Sequence, residues 1–144
     1  GGNGVGARLR WDHVGPEVDP LSPGNLLIFA TGPLCGTTAP TASRFEVIGK
    51  SPLTGIYGDS NAGGFFGPEL KFAGWDYIVL TGRAESPVYL HIHDDDVALR
   101  DARNLWGMTT SETEEAIWEE LADGKVKTAT IGPAGQNLVH FAGI

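Results

Sequence analysis

The sequence predicts an α+β fold. Strand-like runs outnumber helical ones, helices come in blocks instead of alternating one-for-one with strands, and glycine–proline punctuation recurs throughout. The first two observations disfavour a doubly wound sheet, which needs strict βαβ alternation. The third fits a chain with 21 glycines, about twice the usual share, and 9 prolines.

From the N-terminus, Gly1 to Gly6 reads as a flexible glycine cluster, followed by a helix from Ala7 to about Val14. Pro16, Pro20 and Pro23 mark an irregular connection. Leu26 to Thr31 is an apolar run of strand length, closed by Gly32-Pro33. A polar turn region, Gly36 to Ser43, leads to a second strand at Arg44 to Ile48. A long polar, glycine-rich loop follows. Gly67-Pro68 then opens a short helix with Gly74 as its C-terminal cap, since proline suits a helix start and glycine the left-handed exit. Strands are expected at Tyr77 to Thr81, Val88 to His93 and Val97 to Asp101, with Asp94-Asp95-Asp96 as a hairpin turn. The clearest helix is Glu112 to Ala122. Ser111 and Glu114 form a capping box, Ala116, Ile117 and Leu121 make one apolar face, and Asp123-Gly124 ends the helix. Val126 to Ile131 and Leu138 to Phe141 read as two further strands around Gly132-Pro133-Ala134-Gly135.

The 144 residues amount to one domain with room for a core. A net charge of −8 without any basic stripe argues against a nucleic-acid partner. The apolar run from Leu26 to Ala30 is far too short to span a bilayer, so no membrane association is expected and the acidic surface suits the cytoplasm. No signal peptide is evident. The single cysteine, Cys35, rules out an internal disulfide and a complete thiolate metal site, and reads as a small buried hydrophobe. The chain begins without Met and ends within the apolar run Leu138 to Ile144, which reads as part of something longer.

Three motifs invite chemistry. Gly2, Gly4 and Ala7 match the dinucleotide fingerprint, but no strand precedes them and the acids Glu17 and Asp19 fall in proline-rich loop, so a tight helix entrance is the better reading. His91 and His93 share one face of a strand beside the Asp94–Asp96 turn. With Val88, Leu90 and Ile92 assigned to the core side, the histidines are expected on a solvated face rather than around a metal. The four tryptophans, Trp11, Trp75, Trp106 and Trp118, are dispersed and read as packing.

The stretch from Arg44 to Trp75 is different. Asp59-Ser60-Asn61-Ala62-Gly63-Gly64 is rich in residues that tolerate left-handed backbone, and successive N–H groups in such a segment can cradle an anion. Asn61 offers carbonyl oxygens suited to a hard cation such as Mg²⁺. Arg44 adds a planar, permanently charged fork for phosphate or a polar heterocycle. A phosphate-bearing ligand and a plain long turn are both open on these residues alone.

Several long motifs in order resemble the N-terminal domain of the aldehyde:ferredoxin oxidoreductase family of tungsten-pterin enzymes, over almost the whole chain. They are Asp19-Pro-Leu-Ser-Pro, Ala30-Thr-Gly-Pro-Leu, Lys50-Ser-Pro-Leu-Thr-Gly, Asn61-Ala-Gly-Gly-Phe-Phe-Gly-Pro-Glu-Leu-Lys-Phe-Ala-Gly, Leu105-Trp-Gly and Ile131-Gly-Pro-Ala-Gly-Gln-Asn-Leu-Val. The resemblance implies two β-sheets with a few helices forming the base of a tungsten bis-pterin cofactor site, with molybdenum as an alternative metal. It makes residues 1–144 an incomplete N-terminal cofactor-binding domain of a longer oxidoreductase. Arg44, Asn61 and Gly63 carry over as cofactor contacts, with the Asn61 carbonyl on the Mg²⁺ that bridges the pterin phosphates. Cys35 stands where relatives often have threonine, and the loop Ile56–Asp59 varies among them. The ligands of the [4Fe–4S] cluster and the acid/base residues belong outside this chain. The implied reaction is oxidation of a small aldehyde to a carboxylic acid, with ferredoxin as electron acceptor and a homodimer allowed. Alternatives are the tungsten subunit of an aromatic-acyl-CoA reductase and a cofactor-free binding domain.

Overall fold

The computed structural model describes residues 1–144 and divides into two compact units, Gly1–Arg83 with His93–Asp95, and Ala84–Ile92 with Asp96–Ile144.

The first unit is a four-stranded antiparallel sheet in the order β3-β2-β1-β4, built from β1 (Leu26–Thr31), β2 (Phe45–Lys50), β3 (Tyr57–Ala62) and β4 (Tyr77–Thr81). The apolar run of β1 becomes a central strand because both of its edges are paired and nearly all of its side chains are buried. Alternation sends Ile28 and Ala30 to one face, where with Leu26, Ile48 and Val14 they form a core against Leu9 of helix α1 (Asn3–His13). Phe29 and Phe45 point the other way and pack on Phe66 of helix α2 (Phe66–Phe72), with ring centroids 4.9 to 6.4 Å apart.

Two expectations are corrected here. Helix α1 starts at Asn3, inside the glycine cluster, instead of at Ala7. Gly2 makes the entry turn with φ 53° and its N–H donates to the Thr31 carbonyl at 2.8 Å, which anchors the helix start to β1. Gly6 is buried at the sheet contact, where a Cβ would lie 2.1 Å from Ile48 Cδ1. Helix packing therefore outweighs glycine's poor helix propensity. Gly6→Ala is expected to destabilise the protein by about 1–2 kcal/mol, the overpacking cost less the gain in propensity. Gly4, three-dimensionally open in the same helix, is expected to give the opposite sign, about 0.5–1 kcal/mol of stabilisation on Gly4→Ala. Thermal unfolding of the two variants side by side checks both; equal signs would refute the packing account.

The second correction concerns the glycine-rich stretch. Tyr57–Ala62 is not loop but the edge strand β3, paired with β2 in the register Glu46↔Asn61 and Phe45↔Ala62. Its sequence, Tyr-Gly-Asp-Ser-Asn-Ala, has a single strand-favouring residue in Tyr57, and pairing along a full edge of β2 supplies what propensity does not.

The second unit contains the hairpin of β5 (Val88–His93) and β6 (Asp96–Asp101) apart from its tip at His93–Asp95, a 3₁₀ turn at Arg103–Leu105, helix α3 (Thr110–Leu121) and a single-turn helix α4 (Pro133–Gln136). Asp94, at φ 52°, sits in the two-residue turn between the hairpin strands. The core is Ala102, Leu105 and Ile117, with Tyr89, Met108 and Leu121 packed on it.

Helix α3 begins two residues before the predicted start. Its capping box is Thr109 with Glu112 and not Ser111 with Glu114: Thr109 N donates to Glu112 Oε2 at 2.7 Å and Glu112 N to Thr109 Oγ1 at 3.3 Å. These bonds hold the Glu112 carboxyl below the usual glutamate range, the backbone N–H of Thr109 contributing most. The strands expected at Val126–Ile131 and Leu138–Phe141 do not form. A strand needs a ladder partner, and the first segment is instead extended along α3, with Trp118 Nε1 donating to the Val126 carbonyl at 2.9 Å. The second runs through turns, with Leu138 at φ 56°.

Candidate functional site

The antiparallel register of β2 and β3 brings the three sequence-predicted site residues together at one end of the sheet. Asn61 lies opposite Glu46, and two positions further, just past the last pair Phe45↔Ala62, the same register sets Arg44 across from Gly63. The side chains of Arg44, Glu46 and Asn61 all leave on the face that carries Ile48 and α1, because each is an even number of positions from its strand neighbour there.

Beyond the strand ends Ser51 N donates to the Ile56 carbonyl at 2.9 Å, which fixes the alternation of the ladder. Counting back in steps of two makes Glu46–Asn61 a pair that exchanges no backbone hydrogen bonds. Since β3 is the edge strand, the main-chain N–H and C=O of Asn61 point off the sheet.

Arg44 takes hold of Asn61 twice. Its Nη2 donates to the Asn61 main-chain oxygen at 2.9 Å, and its Nε donates to Oδ1 of the same residue in a short bond. Asn61 Nδ2 in turn donates to Glu46 Oε1, also in a short bond. Gly63 completes the group: a Cβ on it would sit 3.6 Å from Arg44 Nη1, so any larger side chain would cover the outer edge of the guanidinium. Next to this group, Tyr57 donates its hydroxyl to Asn3 Oδ1 at 2.8 Å and Asn3 Nδ2 donates to Asp59 at 3.0 Å, tying β3 to the start of α1. Burial, followed by the charges of Asp59 and Glu46, raises the Tyr57 phenol pKa.

This geometry suits an anionic group and a hard cation. Arg44 and Gly63 are exposed, and two bonds to Asn61 leave three of the five guanidinium N–H donors for an anion. The Asn61 carbonyl, aimed off a free edge, is a hard oxygen donor of the type that Mg²⁺ accepts. The expected anion nest over Asp59–Gly64 is not present as such. Asp59 to Ala62 are extended strand, and in that segment only Gly64, at φ 86°, has left-handed backbone. Successive N–H groups in a strand point to opposite sides, so they do not converge on one anion.

Glu46 is the residue that the sequence reading missed. The available signal was its spacing of two from Arg44, which places both on one face of a strand.

The other candidates separate from this site. Gly2 and Gly4 serve the start of α1 and no strand leads into them. The burial of β5 departs from expectation only in part: Tyr89 packs on the core of the second unit and Val88 is 40% exposed, but Leu90, His91 and Ile92 are all half-buried and His93 is exposed as expected. Cys35 is buried beside Gly67, and burial pushes its thiol pKa up against a smaller opposing effect of Lys71.

A β-sheet edge that presents an arginine fork and a main-chain carbonyl side by side offers donors to an anion and an oxygen to a cation. Comparison with known proteins gives that edge its family. The family model described as aldehyde ferredoxin oxidoreductase, N-terminal domain, matches residues 1–144. The chain belongs to this family. It is 56% identical over 144 residues to the tungsten-containing aldehyde ferredoxin oxidoreductase of Pyrococcus abyssi, covering 100% of this chain and 24% of that protein. The aliphatic sulfonate oxidoreductase, WOR-like subunit, of Pyrococcus furiosus is 37% identical over 159 residues, covering 100% of this chain and 25% of the relative. Among solved structures, the active site complex BamBC of benzoyl coenzyme A reductase with 1,5-dienoyl-CoA superposes with a TM-score of 0.96 at 48% identity, over 98% of this chain and 22% of that one. The chain thus spans about a quarter of the length of the relatives it matches. No helix in it is long and apolar enough to cross a membrane.

Proposed function

We propose that the whole protein is a tungsten-pterin oxidoreductase that oxidises an aldehyde to a carboxylic acid, and that this domain forms the base of its cofactor site. The observation that carries the reading is the 56% identity to the Pyrococcus abyssi enzyme over the entire chain. Oxidation of an aldehyde with water to the acid releases two electrons and two protons, and the bound metal-pterin supplies the two-electron acceptor for it. A [4Fe–4S] cluster, held by residues outside this chain, would carry the electrons on to ferredoxin in the cytoplasm.

In this reading the residues described here bind and orient. Arg44 neutralises an anionic oxygen of the cofactor with its remaining donors. Asn61 offers its main-chain oxygen to Mg²⁺, and Gly63 keeps the approach to Arg44 open. None of the three moves a proton. The metal, the substrate pocket and the dimer, if formed, are set by the rest of the protein.

The solved benzoyl coenzyme A reductase complex favours a second reading on the same cofactor, reduction of an aromatic acyl-CoA thioester. Elemental analysis of the full-length protein purified without oxygen is the first test, followed by assays with aldehydes and with aromatic acyl-CoA thioesters. We expect about one tungsten and about four irons per chain, together with aldehyde-dependent reduction of a ferredoxin-like acceptor. Molybdenum in place of tungsten would keep the site and reopen the reaction. Neither metal in freshly isolated material would overturn the cofactor reading and leave a binding domain.

A further inference from the structure

Glu46 makes one hydrogen bond and lacks another. Oε1 accepts from Asn61 Nδ2, while Oε2 is buried without a hydrogen-bond partner. A carboxylate oxygen withheld from water and left unpaired costs the fold free energy, so stability does not account for this side chain. Its effect on Asn61 does. A carboxylate only accepts and a guanidinium only donates, so an amide held between them has a single orientation, with Oδ1 towards Arg44 and Nδ2 towards Glu46. The two residues face each other across a pair without backbone hydrogen bonds, the arrangement in which cross-strand side chains lie closest. With Oδ1 fixed, Arg44 Nε has its acceptor, and Nη2 then meets the Asn61 main-chain oxygen at 2.9 Å. Glu46 therefore determines where the arginine fork lies without bonding to it.

We propose that Glu46 is a positioning residue of the cofactor site, acting through the Asn61 amide to set the Arg44 guanidinium and the Asn61 carbonyl in their binding geometry. This rests on the reading of Arg44 and Asn61 as contacts of the pterin phosphates and their Mg²⁺.

The test uses the full-length protein, purified without oxygen, as wild type, Asn61→Asp, Asn61→Asp/Glu46→Gln and Glu46→Leu. Tungsten per chain, retention of Mg²⁺ against a chelator, and the electron paramagnetic resonance signal of the half-reduced metal are read for each. Asn61→Asp sets two carboxylates against each other across the strands. Mg²⁺ retention is expected to fall about tenfold, the usual scale for a displaced outer partner of a metal ligand. Adding Glu46→Gln is expected to recover most of it: the glutamine amide donates to the aspartate, whose other oxygen still accepts from Arg44. Glu46→Leu frees the amide to rotate and is expected to weaken retention and broaden the metal signal. A residue needed only for folding would lower the unfolding temperature in every variant and give no recovery in the double variant. No recovery, or wild-type retention in both Asn61→Asp and Glu46→Leu, overturns the proposal while leaving the cofactor reading intact. A wild-type protein without tungsten or molybdenum overturns both.

Discussion

Arg44→Ala is expected to strip the cofactor from the full-length protein while leaving the fold in place. The side chain is exposed, so its removal opens no cavity, and surface changes of this kind usually move stability by less than about 0.5 kcal/mol. What is lost is specific. Two bonds to Asn61 disappear together with the three donors left for an anion. Charge-assisted hydrogen bonds contribute about 1.5–3 kcal/mol each, so losing one to the cofactor weakens its hold by roughly 10- to 150-fold, and losing two by more. Arg44→Lys should restore only part of this. An ammonium keeps the charge but cannot present a planar fork to Asn61 and to an anion at once. Tungsten and magnesium per chain, measured beside the unfolding temperature, check the expectation. Normal metal content with normal turnover in Arg44→Ala would exclude Arg44 from the site.

Much of this geometry was legible before the structure, though for uneven reasons. The strand at Leu26–Thr31 and the helix around Glu112–Leu121 carry strong periodic or apolar patterns, and both formed nearly where expected. Arg44 and Asn61, 17 residues apart, were each identifiable as unusual, but their contact depends on the register of a strand that the sequence disguised as loop. After Tyr57 nothing in Tyr-Gly-Asp-Ser-Asn-Ala favours extended backbone by itself; a partner strand of matching length does. The same limit explains the misplaced cap of α3. Thr109 with Glu112 and Ser111 with Glu114 both satisfy the capping pattern, and burial of Thr113 goes with the earlier start. The two missing strands were read from apolar residues alone, yet neither segment pairs with another strand: Val126–Thr130 is half-buried beside α3, and Leu138, Val139 and Phe141 are exposed. Resemblance pointed to Arg44, Asn61 and Gly63 independently of these local errors, because motif order survives a wrong assignment of secondary structure.

The largest effect on stability is expected from Asn25→Ala, at the end of the sheet where the irregular segment from Gly15 joins β1. Asn25 uses every hydrogen-bonding valence of its amide. Nδ2 donates to the Pro20 carbonyl at 2.8 Å and to the Lys50 carbonyl at 3.1 Å, while Oδ1 accepts from Leu26 N at 2.9 Å and from Lys50 N at 3.1 Å. One side chain thereby bridges the start of β1, the end of β2 and the proline-rich connection. Three of the four groups it serves belong to residues shielded from water, Lys50 at 5% and Leu26 at 9% exposed, while Pro20 is half-buried. Alanine would leave up to four backbone groups without partners. At about 1–3 kcal/mol for each buried group left unpaired, and with some relaxation shared among them, a net loss of about 3 kcal/mol is expected. Lys50 Nζ, which donates to the Pro16 carbonyl at 2.6 Å and the Val18 carbonyl at 2.7 Å, should keep the connection attached, so the loss should be local as well as global. Amide exchange separates the two. Leu26 and Lys50 N–H groups should lose protection in Asn25→Ala beyond the fall in global stability, while those of Phe29 and Ala30, inside the paired part of β1, should follow the global change alone. Unaltered exchange at Leu26 and Lys50 would mean that backbone or water replaces the amide, and that this hub does not hold the connection to the sheet.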